Sequence, residues 1–376
     1  MEVKQLYELV NGITSEVTGK SDLVAEDLSN VVDVGKEVFT ATSVDNYVKT
    51  LVDRIGKTVF VNRAYSGKIP SVYMDSWEFG SVLQKISADL PEATENETWE
   101  LEDKKSYDPN VFYKPKVSAK FFNSKTTFEI PLSFTERQVK ESFNSASELN
   151  AFMSMLFNAV DRSMTVKTDA LIMRTINNMT ATTIDGGNAV RAVNLLEKYN
   201  TLTSKSLAAA VALSDKDFLR FASKEIALYA DRMATMSTLF NEGGKERFTP
   251  RDALRIVLLS DFAQAGKVYL ESDTEHNALV ALPNAETVPY WQGSGEDYGF
   301  DSVSKIHVKT AGGKDVEQGG IVGVMFDRDA LGVANLDRRV TTNYNPKAEF
   351  FTNWYKFDAG YFNDLNENFV VFYVAD

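Results

Sequence analysis

The chain has 376 residues, 44% hydrophobic and 25% charged, enough apolar material for a substantial core and too balanced for wholesale disorder. Its net charge of −13 and pI near 4.9 disfavour a nucleic-acid-binding module, which needs a basic footprint to neutralise phosphates. Cysteine is absent, so disulfides and thiolate chemistry are excluded.

The opening stretch MEVKQLYELVNGITSEVTGK has no basic n-region and no continuous apolar h-region, so no secretory signal is expected. No run approaches the ~18 apolar residues that span a bilayer. A soluble protein folded in a cytoplasm is the expectation. Val3, Leu6, Leu9, Val10 and Ile13 recur at helical spacing, which predicts an amphipathic helix over 2–16. VAEDLSNVVDVGKEVF reads as a second helix. VDNYVKTLVDRI reads as a third, capped by Ser43 and closed by Gly56. TVFVNRAY at 58–65 has the β-branched and aromatic content of a strand.

Residues 91–116 are polar and carry both charge signs, and strand-like segments flank them: SVLQKISADL before, KVSAKFF and TTFEIPL after. A strand pair with a long polar tip makes a projecting arm, and its size favours function because structureless loops beyond ~12–15 residues are uncommon in compact domains. Ser145 and Glu148 then fit a capping box. From Leu149 through Phe152, Met153, Leu156, Val160, Met164, Leu171 and Ile172 to Ile176 one apolar stripe predicts a spine helix over about 146–178, on the order of 50 Å long.

Ile184-Asp-Gly-Gly-Asn188 marks a turn and a boundary. Beyond it AVRAVNLLEKY and DKDFLRFASKEIALYADRMATMSTL read as helices, the second capped by Ser214. RIVLLSD, SKIHVKT and GGIVGVMFD read as strands of a mixed α/β unit over 185–335. Ten aromatics crowd the stretch from Phe350 to Tyr373, against a chain average of 11%. NENFVVFYV within it has the character of a buried strand.

Chemical motifs fail on inspection. Gly19-Lys20-Ser21 and Gly56-Lys57-Thr58 lack the glycine five residues earlier that a phosphate-cradling loop requires; Thr14 and Leu51 stand there. Asp327-Arg-Asp329 begins like a calcium loop, but Leu331 and Arg338 occupy positions that need oxygen ligands. The two histidines, His276 and His307, form no metal pair and no triad motif. The basic, aromatic stretch YKPKVSAKFFNSK fits a solvated edge strand defended by lysine better than a nucleic-acid site. No catalytic, cofactor-binding or metal-binding residue is therefore assigned.

The order of elements and the phrases LVDRIGKTVFVNRAYSGKIPSVYMDSWEFGSVLQKI, RAVNLLEKYN, GGIVGVMFDRDALGV and NPKAEFFTNWYKFDAGYFNDLNENFVVFYV resemble the major capsid proteins of tailed bacteriophages, with the HK97-like shell fold. The resemblance implies an α+β capsid fold with an N-terminal arm and helices over 1–57 and an extended β-hairpin E-loop with flanking strands over 58–134. It further implies a P-domain with the spine helix over 135–184, an inserted α/β A-domain over 185–335 and P-domain return strands over 336–376. It also implies self-assembly into hexamers and pentamers of an icosahedral capsid around double-stranded DNA, assembled in a bacterial host cytoplasm and residing in the virion. The partners would be other copies of the chain, a portal protein, a scaffold or maturation protease, and a decoration protein. Membrane association, cofactor use, enzymatic activity and sequence-specific DNA contact are not expected. No long charged helical extension precedes the first helices, so a separate scaffold or a cleaved form is expected, and Met1 favours an uncleaved chain.

Under the resemblance the arm tip lies across a neighbouring subunit, with Glu92, Glu95, Glu97, Trp99, Glu100, Glu102, Lys104 and Lys105 as contact candidates. Phe350, Phe351, Trp354 and Tyr355 are candidates from the aromatic ending, which would also pack the spine helix and its sheet. Two rivals share some of these features: an encapsulin-type nanocompartment shell, and a hydrolase built on a carboxylate pair.

Overall fold

The computed structural model describes residues 3–20, 23–41, 50, 69–74, 83–88, 91, 93, 95–142, 144–271, 285–293 and 298–376. The helix expected from Ser43 to Gly56, apart from Thr50, the strand expected at 58–65, and His276 lie outside the described residues. The chain divides into two compact units. Unit one comprises Met1–Trp77, Ser124–Ile172 and Val333–Gly360; unit two comprises Glu78–Asn123, Met173–Gly332 and Tyr361–Asp376.

Unit one begins with helix α1 (Val3–Thr18), closed where Gly19 takes a left-handed φ of +71° and its amide reaches the Ser15 carbonyl at 3.0 Å. Helix α2 spans Val31–Ala41 and starts later than the periodicity suggests. The reason is Asn30: its side chain takes the Ala25 amide at 2.8 Å and donates to the Leu23 carbonyl at 2.7 Å, which folds 23–30 into a turn. A four-stranded sheet follows, made of β1 (Tyr73–Met74), β4 (Lys125–Thr135), β11 (Leu331–Asn345) and β12 (Phe350–Asn363) in the order β1-β11-β12-β4. Strands β12 and β4 pair antiparallel in unbroken register from Phe350↔Thr135 to Gly360↔Lys125. A short helix α3 (Glu136–Ser142) leads to α4 (Ala146–Asp185), which contributes Ala146–Ile172 to this unit.

Helix α4 starts at the expected cap, with the Ser145 hydroxyl taking the Glu148 amide at 3.1 Å. It runs to Asp185, beyond the expected end near 178, so its 40 residues span ~60 Å. The extra turns hold threonines that discourage helix by competing for backbone bonds. Here Thr182 and Thr183 instead donate to the carbonyls of Asn178 and Met179, each at 2.9 Å. Gly186 and Gly187 then end it, Gly187 at φ +63°.

The core of unit one gathers Val10 and Ile13 of α1, Val31 and Val34 of α2, Leu149, Met153, Leu156, Val160 and Met164 of α4, Phe134 of β4, and Phe351, Tyr355 and Phe357 of β12. Burial alternates along β12 because successive side chains point to opposite faces. Phe351 stacks on Phe134 at 5.9 Å, and Phe128 packs on Phe357 at 5.0 Å between ring centres.

Unit two is built on a five-stranded sheet of β5 (Ala192–Asn194), β6 (Leu254–Leu259), β7 (Glu286–Val288), β10 (Ile321–Asp327) and β13 (Phe369–Tyr373), ordered β5-β13-β10-β6-β7. The stretch AVRAVNLLEKY, expected as helix throughout, is strand first. Its Ala192–Asn194 pairs parallel with β13, and helix α5 (Leu195–Thr203) starts only where the Asn194 side chain caps the Leu196 and Glu197 amides. After a short helix α6 (Ala209–Ala212) comes α7 (Lys216–Met233), capped by Asp215 and not by Ser214: the Asp215 carboxylate takes the Phe218 amide at 2.7 Å. Helix α8 (Ser260–Glu271), the single turn α9 (Phe300–Val303) and a small hairpin of β8 (Ile306–Lys309) and β9 (Asp315–Gln318) complete the unit around the sheet. Gly320, at φ +71°, lets the chain approach the Val374 carbonyl so closely that any Cβ there would overlap it. Residues 336–376, expected as one set of return strands, are shared: those up to Gly360 belong to unit one, and Tyr361–Asp376, with β13, to unit two. Among the described residues no helix is long and apolar enough to cross a membrane.

The burial pattern along β12 yields a test. Phe351 and Tyr355 are both fully buried, but the Tyr355 hydroxyl has no hydrogen-bond partner among the described residues. Phe351→Ala is expected to cost ~3–5 kcal/mol in urea unfolding by emptying a core site. Tyr355→Phe is expected to leave stability unchanged or raise it, because it removes only an unsatisfied polar group.

Candidate subunit interface

Strands β2 (Leu83–Ala88) and β3 (Val117–Phe122) form an antiparallel pair in unit two, in register from Leu83↔Phe122 to Ala88↔Val117. Paired residues share a face, so the ladder sorts its side chains into two sets. One set holds Leu83, Lys85 and Ser87 with Ser118, Lys120 and Phe122. The other holds Gln84, Ile86 and Ala88 with Val117, Ala119 and Phe121.

The first set faces its own unit. Phe122 packs on Phe362 with ring centres 5.2 Å apart, and the Ser87 and Ser118 hydroxyls hydrogen-bond at 2.9 Å. The Lys85 ammonium lies 3.0 Å from Asp364, 2.7 Å from Glu367 and 3.2 Å from the Asp329 carbonyl, an acceptor for each of its three N–H groups. Lys120 also reaches Asp364 at 2.8 Å, and Arg247 reaches Glu367 at 3.2 Å. The Asp364 side chain is almost fully buried at 1% exposure. Burial by itself would push its carboxyl up, but the hydrogen bond from Lys120 and the charge of Lys85, with help from the Asn366 amide, outweigh that and hold it below the ordinary aspartate value.

The second set faces outward: Ile86, Val117 and Phe121 are each more than half exposed. Between the strands, residues 95–116 fold into local turns, including a 3-10 turn at Glu97–Trp99 and a left-handed Lys104. Their hydrogen bonds are short-range: the Thr98 amide donates to Asn96, the Glu102 amide to the Tyr107 hydroxyl, and the Asn110 amide to Asp108. Lys105 sits over the Tyr107 ring at 5.4 Å. Trp99 is 95% exposed, Phe112 84% and Tyr113 83%, with Leu101, Tyr107 and Val111 also open. Among the described residues no other stretch of similar length carries so much exposed large apolar surface. Exposure on this scale is unusual for a chain that functions alone.

Of the sequence-predicted contact residues, Glu95, Trp99, Glu100, Glu102, Lys104 and Lys105 are exposed on this tip, and Glu97 lies in its 3-10 turn. Glu92 lies outside the described residues. Phe350 and Trp354 are half-buried on the outward face of β12, with Trp354 opposite Pro131 of β4. Phe351 and Tyr355 are sealed in the core of unit one and present nothing to a second chain. The exposed apolar set Ile86, Leu101, Phe112, Tyr113, Val117 and Phe121 is not among the contact residues expected from sequence, because the lysines of YKPKVSAKFFNSK give that stretch the character of a guarded edge strand. Alternation within SVLQKISADL and KVSAKFF was the signal that could have sorted these side chains by face. The ionic cluster joins residues 85, 120, 247, 364 and 367, and no local spacing announces it.

An α+β chain with a forty-residue helix, a strand pair carrying a long exposed tip and a mixed α/β unit has the HK97-like fold of phage capsid subunits. The chain belongs to the Phi29-like phage major capsid protein family, whose pattern matches residues 9–373. It is a shell subunit of a phage capsid. Among solved structures it is similar to a chain in the capsid structure of Staphylococcus phage Andhra, at 10% identity and a TM-score of 0.51, covering 84% of this chain and 86% of that one. A chain in the structure of the head fiber and inner core protein of native bacteriophage P68 is similar at 10% identity and a TM-score of 0.51, covering 83% and 85%. No curated protein matches the chain.

The charge state of Asp364 sets a pH dependence. A carboxyl held below its ordinary value of 3.8 adds stability that is complete above that value and fades as pH falls through the lower, folded value. Asp364→Asn is therefore expected to cost ~3–5 kcal/mol near pH 7, the range for breaking a buried ion pair, with the difference from wild type narrowing as pH falls below 3.8. Denaturant unfolding at a series of pH values, followed by circular dichroism, measures this.

Proposed function

We propose that this subunit assembles into hexamers and pentamers of an icosahedral shell around double-stranded DNA, with the β2–β3 arm docking on a neighbouring copy. The observation that carries this is the outward apolar face of the arm, continuous in sequence with a tip that exposes Trp99, Phe112 and Tyr113. A shell subunit closes its assembly through contacts with other copies, so a second copy of the same chain is the occupant this surface fits. Each large side chain that becomes covered contributes ~1.5–3 kcal/mol, and the tip charges Glu95, Glu97, Glu100, Glu102, Lys104 and Lys105 set register and partner orientation at the rim. Phe350 and Trp354 on the outward face of β12 offer a second, smaller contact.

On this reading residues 1–57 are the N-terminal arm, 58–134 the E-loop with its flanking strands, 135–184 the P-domain with its spine helix, 185–335 the A-domain and 336–376 the returning strands. The role is structural and not enzymatic, and assembly takes place in the host cytoplasm with a portal protein, a scaffold or maturation protease and a decoration protein as partners. A net charge of −13 per copy disfavours adhesion to packaged DNA, which the shell encloses without reading.

Light scattering and negative-stain imaging of the purified chain test the reading. Closed shells of megadalton mass, or discrete pentamers and hexamers, are expected. Trp99→Ala with Phe112→Ala is expected to lower the yield of assembled particles at least tenfold while leaving the circular dichroism spectrum unchanged. A stable monomer over a wide range of concentration and salt would overturn it.

A further inference from the structure

The β2–β3 pair has only two strands, and an isolated two-stranded ribbon is marginal in water. Nothing in its own ladder determines where it points. What does so is the ionic cluster on its inward face, where both strands supply one lysine: Lys85 from β2 and Lys120 from β3. Both grip Asp364, the first residue past β12, and Lys85 also holds Glu367, just before β13. The anchoring turn is itself pinned. The Asp364 amide donates to the Ala330 carbonyl at 2.7 Å, the Asn366 amide returns to Asp364 at 3.1 Å, and Arg247 braces Glu367 from the segment between α7 and β6. Lys85 reaches a third acceptor, the Asp329 carbonyl, in the turn between β10 and β11.

We propose that Lys85 and Lys120, with Asp364 and Glu367, form an electrostatic latch that positions the arm: the latch holds the ribbon's polar face against its own unit and thereby turns Ile86, Val117 and Phe121 outward for a neighbouring copy. The four are positioning residues for assembly, and this role rests on the docking reading given above. Period-two geometry leaves no other arrangement, because the face that carries both lysines is opposite the face that carries the three apolar side chains. The carboxylates are shielded from water, with Asp364 at 1% and Glu367 at 10% side-chain exposure, while Lys85 at 24% and Lys120 at 38% keep part of their stems in solvent. Screening therefore weakens these pairs less than it does a fully exposed bridge.

The test compares the wild-type chain with Lys85→Met and Lys85→Arg. Amide hydrogen exchange of the unassembled chain reads the latch directly, and sedimentation of assembly reactions reads its consequence. In Lys85→Met, exchange over 83–88 and 117–122 is expected to accelerate on the order of tenfold while β10 and β13 keep wild-type protection, and the shell yield falls. Lys85→Arg is expected to retain both properties. Unchanged exchange in the hairpin of Lys85→Met would overturn the latch, as would acceleration spread evenly through β10 and β13, which would mark a general stabilising role. If the wild-type chain forms no shells, the docking reading fails, and the exchange measurement still decides the latch by itself.

Discussion

The register between β12 and β4 is the constraint on which unit one depends. Eleven consecutive pairs from Phe350↔Thr135 to Gly360↔Lys125 leave no slack, and a slip of one residue would turn Phe351, Tyr355 and Phe357 out to solvent and bring Lys356 and Asp358 into the core. The slip would also carry Phe350 and Trp354 inward, so its cost lies mainly in burying the charges of Lys356 and Asp358 away from their partners and in misfitting the core. The outward face reinforces the same alignment: Lys356 meets Glu129 directly opposite at 3.1 Å, and Asp358 takes both the Thr127 hydroxyl and the Arg339 guanidinium. Aromatic packing inside and charge pairing outside select one register independently.

The same period-two geometry separates what the chain keeps from what it offers. Along β12 it divides a crowded run of aromatics into Phe351, Tyr355 and Phe357, which build the core, and Phe350 and Trp354, which remain partly open. Along the β2–β3 ribbon it divides two lysines from three apolar side chains. A strand pair with polar residues toward the protein and apolar ones toward water reverses the usual arrangement, and the reversal is tolerable only because the inward lysines find carboxylates at 2.7–3.0 Å.

Legibility in the sequence followed the range of the interactions. The spine helix was readable because its apolar stripe and the Ser145 cap are local, yet its last turns were not, since their threonines stay helical by donating to carbonyls one turn back. The strand at Ala192–Asn194 was read as helix because its pairing partner, Val371–Tyr373, lies at the far end of the chain. The aromatic ending was legible as buried strand in general, but not residue by residue: four contact candidates were drawn from it, and burial removes Phe351 and Tyr355. The tip's exposure follows from its run of charges, whereas the aromatics set between those charges follow no period that marks them as open. The latch was invisible, because it joins positions 85 and 364 through tertiary structure alone.

An exposed apolar arm on a chain of net charge −13 places two forces of different range on the free subunit. Like charge repels over a Debye length, ~8 Å at physiological ionic strength, whereas apolar attraction acts only at contact. Isolated subunits therefore meet a barrier before they meet the adhesive surface, and the height of that barrier falls with salt while the depth of the contact does not. Such a balance makes the formation of the first few-subunit cluster the slow step and growth from it fast. It lets a dilute pool of subunits persist without precipitating and then convert to shells within a narrow window of concentration and ionic strength.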